Sequence, residues 1–233
     1  MKLGIIICDQ VRQQLQPEFG DYRAMFANLL RQVDDRLELE FFSAINLELP
    51  DDIDACDGYI ISGSRWGVND DLAWIRQLEQ FIQQLYLANK GLVGICFGHQ
   101  LIGKALGGLV EKSAKGWGVC VALNQVSQLQ PWMIPVQNRL NLVVSHQDQI
   151  IDPPPRTRVL LGNEFCPYAM IQVGAHTLGI QGHPEFSRQY SQALINCRKE
   201  QLGASVVAIA SHSLSHQVDD VVVMTWLINF LKQ

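Results

Sequence analysis

The sequence predicts an α/β fold: an open, mostly parallel sheet with helices on both faces and antiparallel strands added in the second half. Three observations lead there. Short apolar runs rich in β-branched residues (Leu3–Cys8, Gly58–Ile61, Leu92–Ile95) have the continuous hydrophobicity of strands buried on both faces. Between them, apolar side chains recur every three or four residues, as on helices that cover such a sheet. After Gly107 the rhythm shifts to short strand-like runs with few helical signals between them.

The first strand ends at Asp9. Met25, Phe26, Leu29, Leu30 and Val33 then form one face of a helix over 22–33, and the alternation over 37–42 reads as a second strand. Gly58–Ile61 runs into Ser62-Gly63-Ser64. A longer helix follows on Leu72, Ile75, Leu78, Phe81, Ile82 and Leu85, and Asn89-Lys90-Gly91 ends it. Leu92–Ile95 leads directly into Cys96-Phe97-Gly98-His99-Gln100 and a helix closed by Gly107-Gly108. Strand-like segments come next at 109–111, 118–123, 140–144, 168–173 and 177–181, with Pro153-Pro154-Pro155 as a surface turn. From Arg188 the chain returns to helix, closing with 218–231. No repeat, linker or low-complexity tract divides residues 1–233, so a single domain is expected.

Composition narrows the function. A net charge of -5 with no dense Lys/Arg run argues against nucleic acid or an anionic membrane surface as partner. The apolar run 221–231 falls well short of the roughly 20 residues of a membrane span, and the N-terminal run is too short for a signal-peptide core. The six cysteines form no CxxC and no close pair, which disfavours a zinc ribbon or disulfide framework and suits free thiols in the cytoplasm. No metal or cofactor is expected.

One cysteine differs from the others. Gly94-Ile95-Cys96-Phe97-Gly98 places a thiol at a strand-to-helix junction between glycines, resembling the elbow that presents the nucleophile of G-x-S-x-G hydrolases. A helix N-terminus there favours thiolate over thiol, and the Phe97 N–H points where an oxyanion would form. His183-Pro184-Glu185 follows another apolar strand, at the carboxyl end where open α/β sheets gather their sites. Glu185 can accept one ring N–H of His183, leaving the other nitrogen to serve Cys96. His176, His212 and His216 read as solvated, and His99 as a packing residue on the elbow helix.

Four blocks in order then carry a resemblance: Ile61-Ser62-Gly63-Ser64, Gly94 to Gln100, Ser145-His146-Gln147-Asp148, and Gln181 to Phe186. Together they resemble the class I (triad) glutamine amidotransferases. The resemblance implies a flavodoxin-like sheet and a Cys96–His183–Glu185 triad that releases ammonia from the glutamine side chain through a thioester. It also implies that Gly63 supplies the second oxyanion N–H beside Phe97. Gln100, Ser145 and His146 are implied at the substrate's amino-acid end.

Two enzymatic readings follow. In the first, ammonia passes to a separate synthetase subunit, because the stretch after Glu185 is too short for an acceptor domain. The Ser-His-Gln-Asp block is similar to that of guanosine monophosphate synthetase. In the second, a stand-alone γ-glutamyl peptidase gives the same acyl group to water; Ser62 to Trp66 and Gly116-Trp117-Gly118 look more like those members. A non-catalytic regulator on the same fold is the third reading, against which the intact triad counts.

Overall fold

The computed structural model describes residues 1–233. In chain order its elements are β1 (Lys2–Ile7), α1 (Gln16–Phe19), α2 (Tyr22–Val33), β2 (Glu38–Ser43), β3 (Gly58–Ile61), α3 (Ala73–Leu87), β4 (Gly91–Ile95) and α4 (Phe97–Ala105). Then come β5 (Leu109–Lys112), β6 (Gly118–Val126), β7 (Arg139–His146), β8 (Asp148–Asp152), β9 (Thr157–Gly162), β10 (Met170–Val173) and β11 (Thr177–Ile180). Four helices close the chain: α5 (Arg188–Cys197), α6 (Lys199–Leu202), α7 (Ala204–Ser213) and α8 (Asp220–Leu231).

Nine strands form one sheet in the order β2-β1-β3-β4-β11-β10-β9-β6-β7, and β5 and β8 pair separately. The pairs from β2 to β11 are all parallel. From β11 to β7 every pair is antiparallel. This is the predicted flavodoxin-like architecture. β8 and β9 were not anticipated, and β5 and β8 stand apart from the main sheet. The wedge between β6 and β9 has a simple origin. Only Gln125↔Gly162 and Val126↔Leu161 pair there, so the rest of the β6–β7 hairpin diverges from β9.

Both faces of the parallel strands are covered, which is why their sequences are continuously apolar. α2 and α8 pack on one face, where Phe26, Leu30, Met224, Trp226 and Leu227 meet Leu3, Ile5 and Val93. α3 and α4 pack on the other through Ile75, Leu78, Ile82, Leu101 and Ile102. Local signals set helix starts: the Asp21 carboxylate accepts the Ala24 N–H at 2.8 Å ahead of α2, and Ser187 Oγ accepts the Tyr190 N–H at 3.0 Å ahead of α5. Trp132 is core, edge-on to Phe230. No helix is long and apolar enough to cross a membrane.

Candidate active site

Cys96 sits between β4 and α4 with φ 51° and ψ -98°, a left-handed conformation that costs on the order of 1–3 kcal/mol for a residue with a Cβ. Close packing maintains it. A Cβ on Gly94 would lie 2.4 Å from the Gly98 carbonyl carbon, and one on Gly98 would lie 2.6 Å from the Ile61 oxygen. Only glycine at both positions lets the turn tighten this far. The Cys96 N–H donates to Ile180 O at 2.8 Å, tying the elbow to β11.

His183 follows β11 and is held from three sides. Its backbone N–H donates to Val143 O at 2.8 Å, and its ring stacks on Phe186 with centroids 4.0 Å apart. Nδ1 lies 2.8 Å from Glu185 Oε1, with only 4% of the His183 side chain and 1% of the Glu185 side chain exposed. Burial alone favours neutral imidazole. The charges of Cys96 and Glu185, with their hydrogen bonds, outweigh it and raise the ring to about 10. With Nδ1 committed to Glu185, Nε2 is the nitrogen left to exchange a proton with Cys96.

Gly63, expected from the sequence to offer a second oxyanion N–H, lies on the loop after β3. Gly63 is buried and its N–H has no acceptor within the chain. A side chain there would meet the His183 ring 2.7 Å away, so the position requires glycine. Phe97, as the first residue of α4, has an N–H free of any intrahelical acceptor.

The chain itself fastens the Gly63 loop. Ser62 Oγ accepts the Cys8 N–H at 2.9 Å and donates to the Gly63 carbonyl at 2.9 Å. Ser64 Oγ donates to Cys8 O at 2.8 Å. Buried Asp9 accepts the Arg65 N–H at 3.0 Å and Arg65 Nε at 2.7 Å. Desolvation raises the Asp9 carboxyl and Arg65 pulls against it. A chain of aromatic contacts, Trp66 on Trp74 at 5.7 Å and Trp74 on Phe97 at 5.4 Å, backs both donors. The contacts by which Asp9, Ser62 and Arg65 anchor this loop are not legible in the sequence: only the β1–β3 register brings them together.

Cys96 opens into a cleft of about 290 Å³. Gln100, Ser145 and His146 all line it, although the chain already uses their polar groups. Gln100 Nε2 donates to Asp148 O at 2.7 Å, and His146 Nδ1 lies 3.0 Å from the same oxygen. Burial lowers His146 to about 4, so it is neutral near pH 7. Ser145 Oγ accepts from Arg198 Nη1 at 3.0 Å. Two lining groups were missed in the sequence. Asp148 is an acid whose carboxyl burial raises. Arg198 forms no ion pair, and burial and the nearby Arg12 lower it. The lining therefore offers an acid that suits an ammonium group and a guanidinium that suits a carboxylate. His99 lies under the cleft, fully buried, with no partner for either ring nitrogen.

The model of the glutamine amidotransferase class-I family matches residues 19–198. Among curated relatives, γ-glutamyl peptidase 4 of Arabidopsis thaliana is 32% identical over 73% of this chain and 70% of its own length. The glutamine-hydrolysing GMP synthase of Aeropyrum pernix is 27% identical over 76% of this chain but 33% of its own length. In fold, the crystal structure of a glutamine amidotransferase from Thermotoga maritima superimposes with a TM-score of 0.76 at 16% identity, covering 99% of this chain and 96% of that one.

Proposed function

Because the chain belongs to the class-I glutamine amidotransferase family, we propose that it is a γ-glutamyl peptidase, a cysteine-dependent amidohydrolase that transfers the γ-glutamyl group to water. Cys96 Sγ attacks the γ-carbonyl carbon, and the C=O electron pair moves to oxygen, where the Gly63 and Phe97 N–H groups receive it. Collapse breaks the C–N bond, and the departing amine takes the proton on His183 Nε2. His183 then removes a proton from water. The hydroxide attacks the thioester, and the second tetrahedral intermediate expels the Cys96 thiolate and releases glutamate. The acidic wall at Asp148 suits the substrate's α-ammonium, and Arg198 suits a carboxylate. Residues 1–233 act here as one domain. The six free cysteines suit a reducing cytoplasm.

The observation that carries this reading is the anchoring of the Gly63 loop by Asp9, Ser62 and Ser64 of the same chain. An oxyanion donor fixed this way needs no second protein to position it. Sequence alone placed ammonia delivery to a separate synthetase first. The likeness to plant γ-glutamyl peptidases over most of both chains favours water as acceptor. The test is the purified chain alone, assayed on glutamine and on γ-glutamyl dipeptides. Turnover of the dipeptides is expected, and Cys96→Ala should remove it by at least ~10⁴-fold while the fold is kept. Glutamine hydrolysis that appears only when a synthetase is added would refute the peptidase assignment.

A further inference from the structure

Next to the catalytic cleft lies a second cavity of about 210 Å³, in the wedge where β6 diverges from β9. The two adjoin, with Trp117 and His146 among the walls of both. The inner wall is Ile180–Gly182, the stretch that accepts the Cys96 N–H and leads straight into His183. Its other walls are apolar, among them Leu142, Val144, Leu161 and Phe165, and Ile209 of α7 stands 68% exposed at the rim.

One polar group in this apolar setting is unspent. Gln181 is 1% exposed and lines the wedge. Its Oε1 accepts from Gln100 Nε2 at 3.1 Å, which fixes the amide, while its own Nε2 has no partner. Size then limits the occupant. Complete small-molecule sites are usually about 300–1,000 Å³, so this wedge holds one apolar side chain or ring rather than a whole ligand. A cavity that shares two walls with the reaction cleft is placed to take part of the substrate.

We infer that the wedge, lined mainly by apolar side chains beside the stretch that leads into His183, binds an apolar substituent on the amine half of the substrate. The substrate class is then γ-glutamyl peptides or amides whose leaving amine carries a bulky apolar side chain. The inference rests on the peptidase reading, because ammonia has no substituent to bind.

The experiment compares kcat/KM for γ-glutamyl-phenylalanine and γ-glutamyl-glycine on the full chain. A preference of about 10-fold or more for the phenylalanine compound is expected. Ala122→Phe fills the wedge from β6 and should bring that ratio close to one. Ile209→Asp changes only the exposed rim and should lower the ratio by a few-fold at an unchanged melting temperature, so it decides the matter even if the β6 variant folds poorly. Equal kcat/KM values in the unmodified chain, or a ratio that neither variant moves, would overturn the inference and leave the peptidase reading intact. Hydrolysis of glutamine with no turnover of either dipeptide would remove the peptidase reading, and this inference with it.

Discussion

The parallel and antiparallel halves of the sheet bring different things to the cleft. Cys96, Gly63 and His183 all emerge at the carboxyl ends of parallel strands β4, β3 and β11. Backbone conformation fixes them: a left-handed elbow, two glycines that exclude a Cβ, and hydrogen bonds from loop to loop. The antiparallel half adds Trp117, Ser145 and His146 at the ends of β6 and β7, and its partial separation from β9 opens the wedge. Its contribution is a wall of side chains rather than a set of fixed backbone donors. On the proposed mechanism, bond breaking belongs to the first half and selectivity to the second. Substitutions in the two halves should therefore divide between kcat and KM.

The largest expected break in that division is Gly63→Ala. The added methyl meets the His183 ring at 2.7 Å and pushes the loop off its donor position, so oxyanion support and base alignment suffer together. Loss of a single oxyanion donor typically costs ~10²–10³ in rate. We expect kcat to fall by at least that much with the melting temperature nearly unchanged, since the cost is local to the cleft. A rise in KM with kcat unchanged would show that Gly63 does not serve the transition state.

Next in size are Asp9→Asn and Ser62→Ala, which loosen the Gly63 loop without touching it. Asp9 accepts three N–H groups, from Gln10, the Arg65 backbone and the Arg65 side chain, and Ser62 orients the Gly63 carbonyl. A drop in kcat of roughly 10- to 100-fold at constant KM is expected, because a misplaced donor is lost only in the transition state. Arg198→Gln tests the other half. It removes a charge-assisted contact of about 1.5–3 kcal/mol, so KM should rise by roughly 10- to 100-fold with kcat largely kept. Arg198→Lys should restore part of the affinity; loss of kcat instead would move Arg198 into the catalytic half.

The same division explains what the sequence discloses. Strand–elbow–helix patterning marks Cys96, because apolar run, glycine and helix are contiguous in the chain. His183 and Glu185 are separated by one proline, so their pairing is local too. The anchoring of Gly63 is not: Asp9 and Arg65 are 56 residues apart and meet only through the parallel register of β1 with β3. Arg198 bears on the cleft because, between α5 and α6, it donates to Ser145 of β7 across 53 residues. β8 and β9 went unread for a related reason. Asp148–Asp152 and Thr157–Gly162 are strands flanking Pro153-Pro154-Pro155, and the proline turn hides two short runs that pair with distant partners.

The smallest effect concerns the seam between the halves. His99 on α4 lies against Gly179 of β11 and within electrostatic reach of His146 on β7. Burial lowers His99 to about 3, with His146 adding to the shift, and lowers His146 to about 4; both are held neutral in the folded state. The sign follows from linkage. The unfolded chain binds these protons near pH 6.5 and the folded chain does not, so stability is complete above pH 6.5 and declines as pH falls from there toward 3. A buried imidazole shifted this far contributes on the order of a few kcal/mol to that decline. His99→Phe removes one of the two protons. Denaturant titrations between pH 6.5 and 4 should therefore show a shallower loss of stability in the variant, whatever its absolute stability at pH 7. An identical slope would mean that His99 takes up its proton without opening the seam, and that His146 or the carboxylates govern the acid limb.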